Sequence, residues 1–263
     1  MIRDGGLGAT IRPYARRTLR RLGLTDVARR AFMRLADERR TVSVDGARPR
    51  FLREEFGDHV ELNQIAAEAG TIGRLRDEIR PDDVFLDVGS NLGAYAVFVG
   101  ETLETGHVIA VEAVPSTADK LRRNLALNDV DATVATVAFG ADPGTVSMTV
   151  PDAHGSSAVT TDGGDVDVRR VRGDDYLDRS DLPSPTVVKV DVEGYELSVV
   201  EGLRESLRDP ACRLVYCEVH PARLRAFGGS APILASTLSD LGFETSRIAD
   251  LPGERYVLRA AKP

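Results

Sequence analysis

From residue 84 onward, apolar strand-like runs at 84–88, 108–112, 132–138, 186–190 and 213–219 alternate with helical segments, and this alternation is the strongest constraint on the fold. Near-continuous runs of Val, Ile and Leu suit strands buried on both faces, and parallel neighbours require a crossover between them. The pattern predicts an α/β architecture built on a parallel sheet with right-handed crossovers. Segments 92–103, 116–128, 195–207 and 230–241 read as the crossover helices, with Ser116 and Asp119 as an N-terminal cap. Gly242 ends the last helix. Residues 243–248 and 256–260 then flank a Pro252-Gly253 turn, so an antiparallel strand pair is expected at the end. The 140–175 stretch, rich in Gly, Asp, Ser and Thr, is expected to hold strands and a substrate-facing loop around Gly155-Ser156-Ser157.

Upstream, residues 41–44 alternate like a short strand before the Asp45-Gly46 turn, and Leu62, Ile65, Ala66, Ala69 and Ile72 form a helical stripe that stops near Pro81. The chain therefore divides into a helical, Arg-rich extension, 1–80, and a main domain, 81–263. Residues 1–40 hold eleven Arg against four acids, a net +7 in a chain of net −7, which leaves −14 for the remainder. Nucleic-acid binding by the main domain is not expected from that balance. In the extension, Leu24, Val27, Ala28, Ala31, Phe32 and Leu35 recur at helical spacing opposite Arg29, Arg30 and Arg34. Such a helix suits a solvated face packed beside the main domain, or peripheral contact with an anionic membrane. No apolar run reaches the roughly 18 residues of a spanning helix, and the amino terminus lacks a secretory signal, so a cytoplasmic location is expected. Cys212 and Cys217 fall on opposite faces of a strand and lack zinc spacing, which makes them core thiols.

Chemistry gathers at the strand ends. Asp87-Val-Gly-Ser-Asn-Leu-Gly93 follows the strand Val84-Phe85-Leu86, where an open α/β sheet presents a crevice and the next helix offers free N–H groups. Gly89 and Gly93 permit close backbone approach, while Asp87 and Asn91 offer an acceptor and an amide to an amino-acid-like ligand. A dinucleotide turn would prefer G-x-G-x-x-G, so the loop favours S-adenosylmethionine. Glu112, 23 residues after Gly89 and at the end of the second strand, can accept hydrogen bonds from both ribose hydroxyls. Ser90, Ala113 and Asp142 complete the expected donor set. Further on, strand parity places Lys189, Asp191 and Glu193 on one face and Glu218 and His220 together on the next strand. A lysine in so apolar a strand should be ion-paired.

The chain resembles the FkbM family of methyltransferases through D-V-G-S-N-L-G-A-Y at 87–95, V-I-A-V-E-A at 108–113, N-L-A-L-N at 124–128 and V-K-V-D-V-E-G-Y-E-L at 188–197. The third and fourth motifs are the more specific, and the likeness spans roughly residues 80–220. It implies a Rossmann-like class I methyltransferase fold: a seven-stranded, mostly parallel sheet with an antiparallel last strand, here carrying a helical N-terminal extension. It also implies methyl transfer, usually to a hydroxyl of a sugar, lipid or natural product, so the expected partner is a small-molecule or glycan acceptor. The chain departs from the pattern at Glu112-Ala113-Val114-Pro115, where similar proteins often have Glu-Pro.

For the chemistry, His220 is expected as general base because an unperturbed imidazole titrates near neutrality, with Asp191 orienting it or touching the acceptor. Lys189 and Glu193 rank second, as organisers of the site. A metal-free mechanism is placed ahead of one in which Asp191, Glu193, Glu218 and His220 hold a divalent cation. The rival readings are a nucleotide-dependent oxidoreductase, betrayed by hydride transfer, and a non-catalytic S-adenosylmethionine-binding module, betrayed by binding without turnover.

Overall fold

The computed structural model describes residues 31–33, 35–150, 157–160 and 163–263. Asp45 and Gly46 take positive φ (46° and 85°), as a tight hairpin turn demands, and reverse the chain between β1 (Arg39–Thr41) and β2 (Arg50–Leu52). The pairing thus lies before the expected 41–44 strand, and Val44 makes only an isolated bridge to Ala47. The helical stripe that follows is two helices, α1 (Phe56–Ala67) and α2 (Ala69–Glu78), because Glu68 leaves helical geometry (φ −88°, ψ 7°). Of the Arg-rich helix, only 31–33 and 35 are described, all helical; Arg29, Arg30 and Arg34 lie outside the described residues. Phe32 meets the rings of Phe56 and His59 edge-on, at 6.1 and 4.7 Å between centroids, so this end lies beside α1.

The chain then winds through β3 (Val84–Val88), α3 (Ala94–Gly100), β4 (His107–Val111), α4 (Pro115–Leu127) and β5 (Ala132–Ala135). The expected 132–138 strand splits here: β6 (Ala138–Gly140) leaves for a second, four-stranded sheet with β7 (Gly144–Thr149), β8 (Ala158–Val159) and β9 (Val166–Arg172). After α5 (Gly173–Arg179) come β10 (Val187–Val190), α6 (Glu196–Gly202), α7 (Arg204–Arg208) and β11 (Leu214–Val219). The 195–207 helix is therefore broken at Leu203, outside helical geometry (φ −107°, ψ 20°). The chain closes with α8 (Pro221–Ala226), α9 (Ala231–Asp240), β12 (Glu244–Asp250) and β13 (Tyr256–Ala261). Ser116 is not a cap: α4 starts a residue earlier, with Pro115 in its first turn and Val114 as an N-cap without a side-chain bond. Proline needs no N–H partner there, which makes it a good opener.

The main sheet has seven strands in the order β12-β13-β11-β10-β3-β4-β5, and β13 runs antiparallel to both neighbours. Strand parity builds two cores from one sheet. Leu86, Val88, Ile109, Val111, Val188 and Val190 face the layer of α5, α6, α7 and α9. Phe85, Val108, Ala110, Val187 and Tyr216 face α1 to α4, so the segment from Val42 to Leu75 shares its core with the sheet. Each fully buried side chain of this kind contributes about 1.5–3 kcal/mol. Both cysteines are free and buried, and burial pushes the Cys212 thiol up to about 12.

Candidate active site

The chain leaves β3 toward β4 and β5 on one side and returns as β10 and β11 on the other, so the carboxyl ends of β3 and β10 part at a switch point. Asp191 donates its backbone N–H to Val88 O at 2.9 Å, which locks the two strand ends together. Beside them the Asp87–Gly93 loop turns sharply through Gly89 (φ 83°), Asn91 (φ 50°) and Gly93 (φ 86°). A Cβ on Gly89 would sit 1.8 Å from Asp191 O, and one on Gly93 2.4 Å from Leu121 Cδ1, so both positions demand glycine. Ser90 Oγ donates to Asp87 O at 2.8 Å, holding the turn.

A partly open crevice lies over this loop. Gly89, Asn91, Glu112, Ala113 and Asp191 line it, with Val137, Phe139 and Met148 as its apolar wall. Glu112 is fixed by two backbone donors, Asn91 N at 3.0 Å and Val114 N at 2.9 Å, which leaves each oxygen a further lone pair. Burial pushes its carboxyl up to about 7 against those two bonds. Ser90 lies on the neighbouring crevice, and Asp87 is wholly buried beneath the loop. Asp142 does not join them: it is exposed in the β6–β7 turn, where its carbonyl accepts from Arg170 Nε at 2.7 Å. Arg170 in turn donates to Tyr195 Oη at 2.5 Å, and it is Tyr195 that reaches the crevice wall.

Lys189 is buried and ion-paired, as its strand requires: Nζ lies 3.6 Å from Asp87 Oδ1, 3.4 Å from Asp191 Oδ2 and 4.3 Å over the Tyr95 ring. Burial alone would lower its pKa, but Asp87 and Asp191 raise it overall, so it stays charged. Asp87 is pushed up by burial, and neither of its oxygens has a hydrogen-bond partner. Helix α1 and the residue that follows it close the far side. Burial pushes Glu61 up to about 8 and Glu68 up to about 7, and Tyr95 donates to Glu68 at 3.2 Å.

His220, expected as the base, stands among three glutamates. Its ring is buried; Nδ1 lies 2.6 Å from Glu196 Oε1, while Nε2 lies 3.3 Å from both Glu193 Oε2 and Glu218 Oε1. Burial alone would lower its pKa, but Glu196 and Glu218 carry it up to about 10. Nor does it line the donor crevice, whereas Asp191 and Glu193 line both that crevice and its neighbour. Arg223 pairs with Glu193 at 2.6 Å and Arg255 with Glu218 at 2.7 Å. Glu61, Glu68 and Arg255 escape a motif reading because they lie outside the strand-end runs, while Glu196 lies inside the 188–197 motif without a role assigned to it. A signal exists for the first two: acids at i and i+7 border the Leu62–Ile65 apolar stripe, where solvated residues would be wasted.

The crevice fits the donor. A backbone cradle that a Cβ would fill and a carboxyl with free lone pairs suit a ligand with amino-acid and nucleoside parts. Sheet order, antiparallel β13 and this switch-point crevice define a class I methyltransferase fold. Residues 87–245 match the Methyltransferase FkbM domain, and the chain belongs to that family, with S-adenosylmethionine as its cofactor. It is 31% identical over 181 residues to the hexuronic acid methyltransferase AglP of Haloferax volcanii, covering 67% of this chain and 72% of that one. It is 27% identical over 208 residues to methyltransferase sdnD of Sordaria araneosa, covering 64% and 76%. A Streptococcus mutans structure described as a SAM-dependent methyltransferase shares the fold, with TM-score 0.51, 10% identity and coverage of 86% of this chain and 56% of that one.

Proposed function

We propose that this S-adenosylmethionine-dependent methyltransferase methylates an oxygen of a sugar-type acceptor, with the acceptor hydroxyl presented at Asp191. The observation that carries the reading is the junction of two crevices: the donor crevice and a carboxylate-lined neighbour share Gly89, Asn91, Asp191 and Glu193. Carboxylates accept hydrogen bonds in several directions, so Glu61, Glu68 and Asp191 suit a ligand rich in hydroxyl groups, and Gln64 adds an amide. The likeness to a hexuronic acid methyltransferase supports a sugar.

In this reading Glu112 holds the ribose, the Gly89–Gly93 backbone holds the amino-acid end with Asp87 supporting it from beneath, and Ala113, Val137 and Phe139 cover the base. When bound, S-adenosylmethionine would supply an electrophilic sulfonium methyl: an acceptor oxygen takes it as the S–C bond breaks to leave the thioether, and the hydroxyl proton passes to the Asp191 carboxylate. Asp191 orients that hydroxyl; positioning alone supplies a large share of such rate enhancement. Lys189 pins Asp191 and Asp87 in place, and Glu193 and His220 support the wall behind them.

Incubation with donor labelled in the methyl group and a panel of sugars, uronic acids and non-sugar alcohols tests the reading by mass spectrometry. It predicts O-methylated sugar products. Transfer confined to nitrogen or carbon acceptors, or to non-sugar alcohols, overturns it.

A further inference from the structure

The geometry points to a site for a single divalent cation of the Mg2+ or Mn2+ type, held by Asp191, Glu218 and His220. Three of their ligand atoms, one from each residue, lie within 4.8 Å of one another. Ligand atoms lie about 2.0–2.1 Å from Mg2+, so two of them stand at most about 4 Å apart across the metal, and the three side chains would draw in by less than about 1 Å to bind one. The register explains the convergence. Val190 pairs with Cys217, so Asp191 follows β10 beside Glu218 on β11, and parity puts His220 on the same side as Glu218.

The histidine supplies the second, independent observation. Its Nδ1 is held by buried Glu196, which fixes the ring. Its Nε2 is buried with no hydrogen-bond partner, although Glu193 and Glu218 stand 3.3 Å away. A carboxylate behind one ring nitrogen and a second nitrogen facing oxygen ligands is the arrangement that metal-bound histidines use, and a cation there would displace the Nε2 proton that Glu193 and Glu218 otherwise hold. Carboxyl groups also gather around the site: Glu61, Glu68, Asp191, Glu193 and Glu218 line the crevice with Lys189 and Arg255, and Arg223 pairs with Glu193. A cation would replace Arg255, which is partly exposed, as the partner of Glu218, and Asp191 is partly exposed on the acceptor side. Two oxygens and one nitrogen leave open positions for water or an acceptor oxygen, which a cation would acidify. That catalytic consequence rests on the methyl-transfer reading; the binding site itself does not.

Titration of the full chain with Mn2+, followed by electron paramagnetic resonance, tests the site without reference to turnover. The expected result is loss of the free Mn2+ signal at one ion per chain, weakened at least about 10-fold in Asp191→Asn and Glu218→Gln. Both substitutions are near-isosteric, and thermal melts identify a variant that does not fold. In that event, a Mn2+-induced rise in wild-type Tm that the remaining variant abolishes carries the test. A free signal that persists in wild type, or equal affinity in all folded forms, overturns the site. S-adenosylmethionine titrated separately into wild type distinguishes the failures: donor binding without Mn2+ binding removes only the cation, and the converse removes the donor reading.

Discussion

Glu112 shows how one buried carboxyl couples donor binding to pH. Its carboxyl is raised to about 7, first by burial, so the ionised form that accepts ribose hydroxyls best is complete only above that pH. Donor affinity is expected to rise between about pH 6 and 8, and calorimetry on Glu112→Gln, which does not titrate, should show that slope removed. Removing the group in Glu112→Ala should weaken donor binding by about 10- to 100-fold, the worth of charge-assisted hydrogen bonds. Gly89 makes the opposite point, that a side chain can be excluded by backbone alone. Gly89→Ala places a methyl on Asp191 O at positive φ and is expected to lower Tm and abolish donor binding together. Both residues were legible in the sequence because a glycine-rich turn and a strand-end acid carry local signals. His220 was legible as a strand-end residue beside Glu218, but its carboxylate cage was not, since Glu196 on α6 and Glu193 beyond β10 are not revealed by its own neighbours.

Among elements, α4 explains a motif whose spacing has no catalytic meaning. Asn124 accepts from Leu52 N and donates to Leu92 O, both at 2.8 Å, joining β2 to the donor loop. Asn128 repeats the device four residues later, accepting from Arg50 N and donating to Arg50 O, each at 2.8 Å. The N-L-A-L-N run is thus a clamp on an edge strand. Asn124 is fully buried, so Asn124→Ala strands two backbone groups and should cost about 2–6 kcal/mol, at about 1–3 kcal/mol for each. Chemical denaturation measures this, and a loss below about 0.5 kcal/mol would count against the clamp. The strand–helix alternation was readable because parallel strands are apolar throughout. The helix break at Glu68 was not, since the junction itself holds neither Gly nor Pro, whereas the one at Leu203 directly follows Gly202.

For the whole molecule, the buried acids and His220 set one direction of pH dependence. Glu61, Glu68 and Glu112, raised to about 8, 7 and 7, favour the fold when protonated, so their contribution is full below the unfolded value of 4.5 and lost as pH rises through the folded ones. His220, raised from 6.5 to about 10, also binds its proton more tightly in the fold, and that contribution is lost as pH rises toward 10. All four act in the same sense, so Tm should be lower at about pH 9 than at about pH 5. A Tm that rises over this range would mean that these groups are not buried as described. The same crowding of carboxyls, brought together from α1, β3, β10 and β11, is what a linear reading could only approach through strand parity. The account is tested most directly by single-turnover methyl transfer to a hexuronic acid acceptor at saturating donor, in wild type and Asp191→Asn. It predicts transfer by wild type and a fall of about 100-fold or more in the variant; equal rates in the two proteins would contradict it.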